Sequence, residues 1–144
     1  MDISKKERLI SAATPVVLII SNYISVWLLL VTPIILYFAF KKRSLNFASL
    51  TALRIFDLTI SIFIFALALG LLNSALLIVA QDGQFTIPIV SSGLSKTIIT
   101  LVAVSYYLIS LIAFCIFSAR GRELNVPLSI KIFETLRGKR AVNL

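Results

Sequence analysis

The sequence carries 32 consecutive residues without a charge, from Leu9 to Phe40, flanked on both sides by bases. Lys5, Lys6 and Arg8 precede the run, and Lys41, Lys42 and Arg43 follow it, with Arg54 a little further on. As one helix the run would be about 48 Å long at 1.5 Å per residue, against a hydrocarbon core of ~30 Å. Basic flanks favour the cytoplasmic side of a membrane. Two cytoplasmic ends require the chain to cross an even number of times. The run is therefore expected to be a tight hairpin turning near Ser21, Asn22, Tyr23, Ile24 and Ser25, with short arms bounded or kinked by Pro15 and Pro33. Such arms tilt, thin the bilayer locally, or enter it without fully crossing. The run is too long to be the apolar region of a signal peptide.

Two further apolar blocks follow, Ile55–Ala80 and Thr97 to Ala119, each matching one crossing of about 20 residues. The connection from Gln81 to Ser95 holds Asp82, Gly83, Pro88 and Gly93 and no Lys or Arg, which suits the outer side. The tail from Arg120 carries Arg120, Arg122, Lys131, Arg137, Lys139 and Arg140 and belongs inside. Of 14 basic residues only Lys96 then falls outside. The expectation is an all-α polytopic integral membrane protein: a four-segment membrane domain over 1–119 and a basic cytoplasmic tail over 120–144. Both termini lie in the cytoplasm, in a bacterial plasma membrane or an organelle's inner membrane. In the tail, Asn125 is placed to cap a helix with Val126 or Pro127 in its first turn. Leu128, Ile132, Phe133 and Leu136 would share its apolar face, giving an amphipathic helix at the membrane surface that ends at Gly138; the alternation of Leu128, Ile130 and Ile132 also fits a short strand.

Composition agrees. The chain is 59% hydrophobic and 14% charged, with a mean hydropathy of +1.02. A soluble domain has about 45–50% apolar and ~25% charged residues. The net charge of +8 is dispersed in short segments beside apolar runs, a pattern for anionic headgroups rather than nucleic acid. There is no His, and Cys115 is the single cysteine. Imidazole chemistry, an internal disulfide and a thiolate metal cluster are thereby excluded. Phosphate-binding glycine loops, paired carboxylates and Ser–His or Cys–His pairs are also missing from the sequence. No enzyme activity, metal or cofactor is expected.

Asp57 is the one acidic residue within the apolar blocks. Intramembrane carboxylates mark proton or cation paths, so Asp57 is a candidate site of a small oligomeric transporter or channel. Arg54 lies one turn earlier, and a structural ion pair near a wetted interface is the plainer reading. Asn22, Asn73, Ser74, Ser105, Tyr106, Tyr107 and Ser110 are suited to interhelical hydrogen bonds or, less simply, a pore lining. Gly70 and Ser74 have the small-xxx-small spacing of close helix contact. Tyr23, Trp27, Tyr37 and Phe85 fit an interfacial aromatic belt.

Three stretches, KERLISAATPVVLII, PIILYFAFKKRSLNFASLTALRIFDL and ARGRELNVPL, resemble small four-helix membrane proteins related to the plastid inner-envelope import component of the Tic type. That group has bacterial relatives, small magnetosome membrane proteins among them. The resemblance implies a non-enzymatic accessory or translocon-type subunit, in or beside a complex for protein transport or assembly. It implies that Lys41, Lys42, Arg43, Ser44, Arg120, Gly121 and Pro127 shape a cytoplasmic face for lipid anchoring or partner docking. The basic tail residues Arg122, Lys131, Arg137, Lys139 and Arg140 extend that face toward anionic headgroups. Expected partners are membrane lipids and either other membrane subunits or further copies of the chain. A membrane-shaping role is a third alternative, since short hairpin arms and an amphipathic tail can wedge one leaflet.

Overall fold

The computed structural model describes residues 4–127, 129, 130 and 135. Among these the architecture is all helical: α1 (Lys5–Ile24), α2 (Val26–Lys42), α3 (Asn46–Asp82), the single turn α4 (Pro88–Ser91) and α5 (Leu94–Ala119). Two of them, α3 and α5, are long and apolar enough to cross a membrane.

Helix α1 starts where Ser4 Oγ accepts the Glu7 N–H at 3.2 Å. The first apolar block breaks once, at Ser25, which ends α1 and caps α2. The arms are 20 and 17 residues long, and both reach into the flanking basic residues, Lys5 at one end and Lys41 and Lys42 at the other. The fold-back is closed by Glu7. Instead of capping its own helix, its carboxylate accepts the Phe47 N–H at 2.7 Å. Helix α3 has no side-chain cap of its own. Its free first-turn N–H groups favour a negative charge, so Glu7 serves as the cap in trans.

Helices α2, α3 and α5 close in the same way. Leu45 N–H bonds Phe40 C=O at 3.0 Å, Phe85 N–H bonds Ala80 C=O at 3.1 Å, and Arg122 N–H bonds Phe117 C=O at 2.9 Å. Each closure needs one left-handed residue. These are Ser44 (φ 57°), Gln84 (φ 53°) and Gly121 (φ 68°).

Helix α3 is 37 residues long, about 55 Å at 1.5 Å per residue. It begins at Asn46, well before the apolar block at Ile55. The early start follows from packing. Ala48, Ser49, Thr51, Ala52 and Leu53 are all buried, and small side chains there let α1 and α2 approach closely. The core gathers Leu18, Ile55, Leu58, Tyr107, Leu111 and Phe114, so α1, α3 and α5 meet in one cluster. Of the α3 residues from Ile62 onward only Ala80 is buried.

The segment after α5 departs from expectation. Residues 122–126 are neither helix nor strand and Pro127 is in a turn, so Asn125 caps no helix there. The physical reason is that side chains of α3 and α5 take backbone groups along the segment, at Leu124, Pro127 and Ile130. The remaining positions of the expected amphipathic helix, Leu128, Lys131, Ile132, Phe133, Leu136, Arg137 and Gly138, lie outside the described residues, as do Lys139 and Arg140.

Candidate functional site

Helix α3 places Arg54, Asp57 and Ser61 at spacings of three and four residues, which align them along one side of a helix. The segment leaving α5 climbs this stripe. Arg54 Nη2 pairs with Glu123 Oε2 at 2.8 Å, and Arg54 Nη1 donates to Leu124 C=O at 3.5 Å. Higher up, Tyr106 Oη donates to Pro127 C=O. Ser61 Oγ accepts the Ile130 N–H at 2.7 Å and itself donates to Asp57 C=O at 2.6 Å. Leu124 and Val126 pack on the core cluster beneath. Irregular backbone beside membrane helices is tolerated where protein satisfies its polar groups, and these contacts supply partners for much of this stretch.

Asp57 is 2% exposed. The sequence placed it near water; Leu124, Asn125, Val126 and Ser129 of the segment after α5 instead close over it. What remains is a cavity of about 10 Å³ lined by Arg54, Asp57, Phe114, Leu124, Asn125 and Ser129. That is room for about one water molecule. Asp57 thus shares its cavity with Arg54, whose guanidinium also reaches out to Glu123.

A second polar seam joins α1 to α3. Ser11 Oγ donates to Thr51 Oγ1 at 2.8 Å, and Thr51 Oγ1 to Phe47 C=O at 3.0 Å. Between α3 and α5, Thr59 Oγ1 and Tyr107 Oη share a hydrogen bond of 3.2 Å. Near the far end of α5, Ser95 Oγ donates to Asn73 Oδ1 at 2.5 Å. Asn73 and Tyr107 therefore act between helices, and Tyr106 between α5 and the segment that follows it.

The remaining candidates lie apart from this groove. Lys41 and Lys42 end α2 and Arg43 and Ser44 form the turn to α3, all four exposed, with Lys41 Nζ 5.7 Å from the centre of the Tyr37 ring. Arg120 and Arg122 are exposed on either side of Gly121. Gly121 has a specific neighbour. A Cβ there would lie 2.8 Å from Arg8 Nε, and that Nε is buried with no hydrogen-bond partner among the described residues. Arg8 thus lies across the end of α5 and ties the start of α1 to it. Lys131, Arg137, Lys139 and Arg140 are outside the described residues.

The sequence reading missed Glu7, Glu123, Ser61 and the Arg8–Gly121 contact. A usable signal existed for one of them: Glu123 is the single acid in a tail opening rich in bases, and Arg54 is the base set deepest into an apolar block. For backbone acceptors such as Leu124 C=O no signal exists, because every residue carries one. No protein-family model, no curated protein and no solved structure matches the chain.

Proposed function

We propose that the chain is a non-enzymatic subunit of a membrane complex, accessory or translocon-type, serving protein transport or assembly as the Tic-type resemblance implies. On this reading it has four membrane segments and both termini on the basic, cytoplasmic side of a bacterial plasma membrane or an organelle's inner membrane. The observation that supports it is the far half of α3. From Ile62 to Gln81 that stretch is uncharged and largely exposed, and at its middle a Cβ on Gly70 would meet nothing within 4 Å. Ser74 Oγ is turned onto Gly70 C=O at 3.0 Å, which leaves a smooth small-residue face. Such faces let a second helix approach backbone to backbone. Purification from native membranes in mild detergent is expected to recover stoichiometric partner chains. Gly70→Leu should lower their recovery about tenfold, equivalent to ~1.4 kcal/mol, with no loss of helix content. Recovery of the parent only as a lone monomer overturns the reading.

A second reading rests on Asp57, a carboxylate buried in α3. As the site of a small oligomeric transporter it requires that Asp57→Asn abolish a flux in reconstituted vesicles. Cation flux that survives the substitution removes this reading. The single-water cavity favours the subunit reading over it.

A further inference from the structure

The hairpin α1–α2 is much shorter than the helix it packs against, and the register between them is readable. Glu7 pairs with Phe47 and Ser11 with Thr51, both across 40 residues of sequence. Leu18 and Leu58, at the same spacing, are both fully buried in the core cluster. Helix α1 therefore runs parallel to the first half of α3 and level with it. Carried to Ser25, the offset sets the hairpin tip level with Phe65. The centre of α3, which runs from Asn46 to Asp82, is Ile64. About 25 Å of α3 continues beyond the tip at 1.5 Å per residue.

Both ends of α3 belong to water. At one lie the exposed end of α2 at Lys41 and Lys42 and the turn of Arg43 and Ser44; at the other Gln81, Asp82, Gly83 and Gln84 are all exposed. At a tilt of about 35–40° a 55 Å helix covers the hydrocarbon and both headgroup layers, ~40–45 Å in all. Its centre then lies at the bilayer midplane, and so does the tip. We infer that α1–α2 is a re-entrant hairpin confined to one leaflet, its tip among the acyl-chain ends, so that the chain displaces lipid from the cytoplasmic leaflet alone over this part of its outline. The inference rests on the reading that α3 crosses the membrane.

The chemistry of the tip suits that depth, where every backbone polar group needs a partner. Ser25 supplies three. Its N–H bonds Ser21 C=O at 3.1 Å, and its C=O accepts the Leu28 N–H at 3.1 Å. Its Oγ accepts the Trp27 N–H at 3.3 Å. The side chains beside it are large and uncovered, Tyr23 at 94% and Trp27 at 76% exposed. The contrast is with the α3–α5 connection, which is eleven residues long, starts after Asp82 and is followed by Lys96. This depth takes Trp27 and Tyr23 away from the interfacial belt and into the interior.

Trp27 is the only tryptophan, so the native full-length chain carries its own depth probe. It is reconstituted in phosphatidylcholine–phosphatidylglycerol vesicles whose acyl chains bear bromines near the headgroup, at mid-chain or near the methyl end. The expected result is the largest loss of Trp27 emission from the deepest bromines, the smallest from the shallowest, and little quenching by acrylamide. Strongest quenching by the shallow bromines, with acrylamide access, places the tip at a surface and overturns the inference. A second measurement separates this from a failure of α3 to cross. Lys42→Cys and Gln84→Cys, each combined with Cys115→Ser, are treated with an impermeant maleimide in intact spheroplasts. Labelling of Gln84→Cys alone means α3 crosses, so a shallow Trp27 then sinks the hairpin inference by itself. Labelling of both positions, or of neither, sinks the crossing and the inference together.

Discussion

Helix α3 is one continuous helix with two surfaces. From Asn46 to Ser61 it is the hub of the bundle: α1, α2, α5 and the segment after α5 cover it, and Ser49, Thr51, Asp57, Thr59 and Ser61 are buried with it. From Ile62 to Asp82 it is apolar, and its large side chains stand free, Leu71 at 64% exposed. The helix as a whole is long and apolar enough to cross a membrane, although its first half carries Arg54 and Asp57. The difference is that the first half spends its small and polar side chains on protein neighbours, while the second meets the rest of the chain along one side only, through Ile62, Asn73 and Ala80, and leaves its other sides bare. Hydropathy therefore locates the helix, and the distribution of Ser, Thr, Ala and charge along it locates the protein contacts.

That contrast can be broken most directly by truncating one leucine in each half. Leu58 is fully buried, and Leu58→Ala is expected to destabilise the fold by about 2–5 kcal/mol. Leu72→Ala, on the uncovered half, should cost under ~0.5 kcal/mol. Unfolding of the purified chain in mixed micelles, followed by circular dichroism, measures both. Equal losses would mean the far half is packed after all.

Gly121→Ala probes the lower rim of the hub. It forces a side chain onto a left-handed residue and onto Arg8, at an expected cost of roughly 1–3 kcal/mol. Arg8→Ala should relieve the clash but not the backbone strain, so the double variant is expected to recover only part of the stability. Full recovery would show that the φ of 68° carries no strain.

The smallest effect is expected at Glu123, whose side chain is 56% exposed although Arg54 opposite is only 12% exposed. Glu123→Gln should cost about 0.2–1 kcal/mol, and less as salt rises. Hydrogen exchange over 123–130 should quicken more than exchange around Leu72. An unchanged pattern would mean that Ser61 and Tyr106 hold the segment without the ion pair.

How much of this was legible varies by element. The break of Leu9–Phe40 was readable because charge stands at both ends and none between. The start of α3 was not, since Asn46–Arg54 is weakly apolar and becomes helical through Glu7 and the packing of Ala48 and Ala52. The start of the segment after α5 was misread because Asn125 and Pro127 have the spacing of a cap and first turn before the apolar face expected from Leu128, Ile132, Phe133 and Leu136. A turn at Pro127 and three side chains that capture its backbone decide otherwise. Asp57 stood out in the sequence as the isolated acid of the apolar blocks, but its seclusion involves Phe114 and the segment from Leu124, 57 or more residues away.

Residue order alone set the run lengths, the clustering of cations and the single turn at Ser25, because hydrophobicity, charge and helix capping act over a few neighbouring positions. Only the tertiary structure decided that Arg54 meets Glu123, that Ser61 holds Ile130 and that Glu7 caps α3. These contacts join groups 40 to 69 residues apart. A carboxylate, a hydroxyl or a peptide N–H has many equivalent partners in the chain, and packing of α1, α3 and α5 selects one by bringing it within bonding distance.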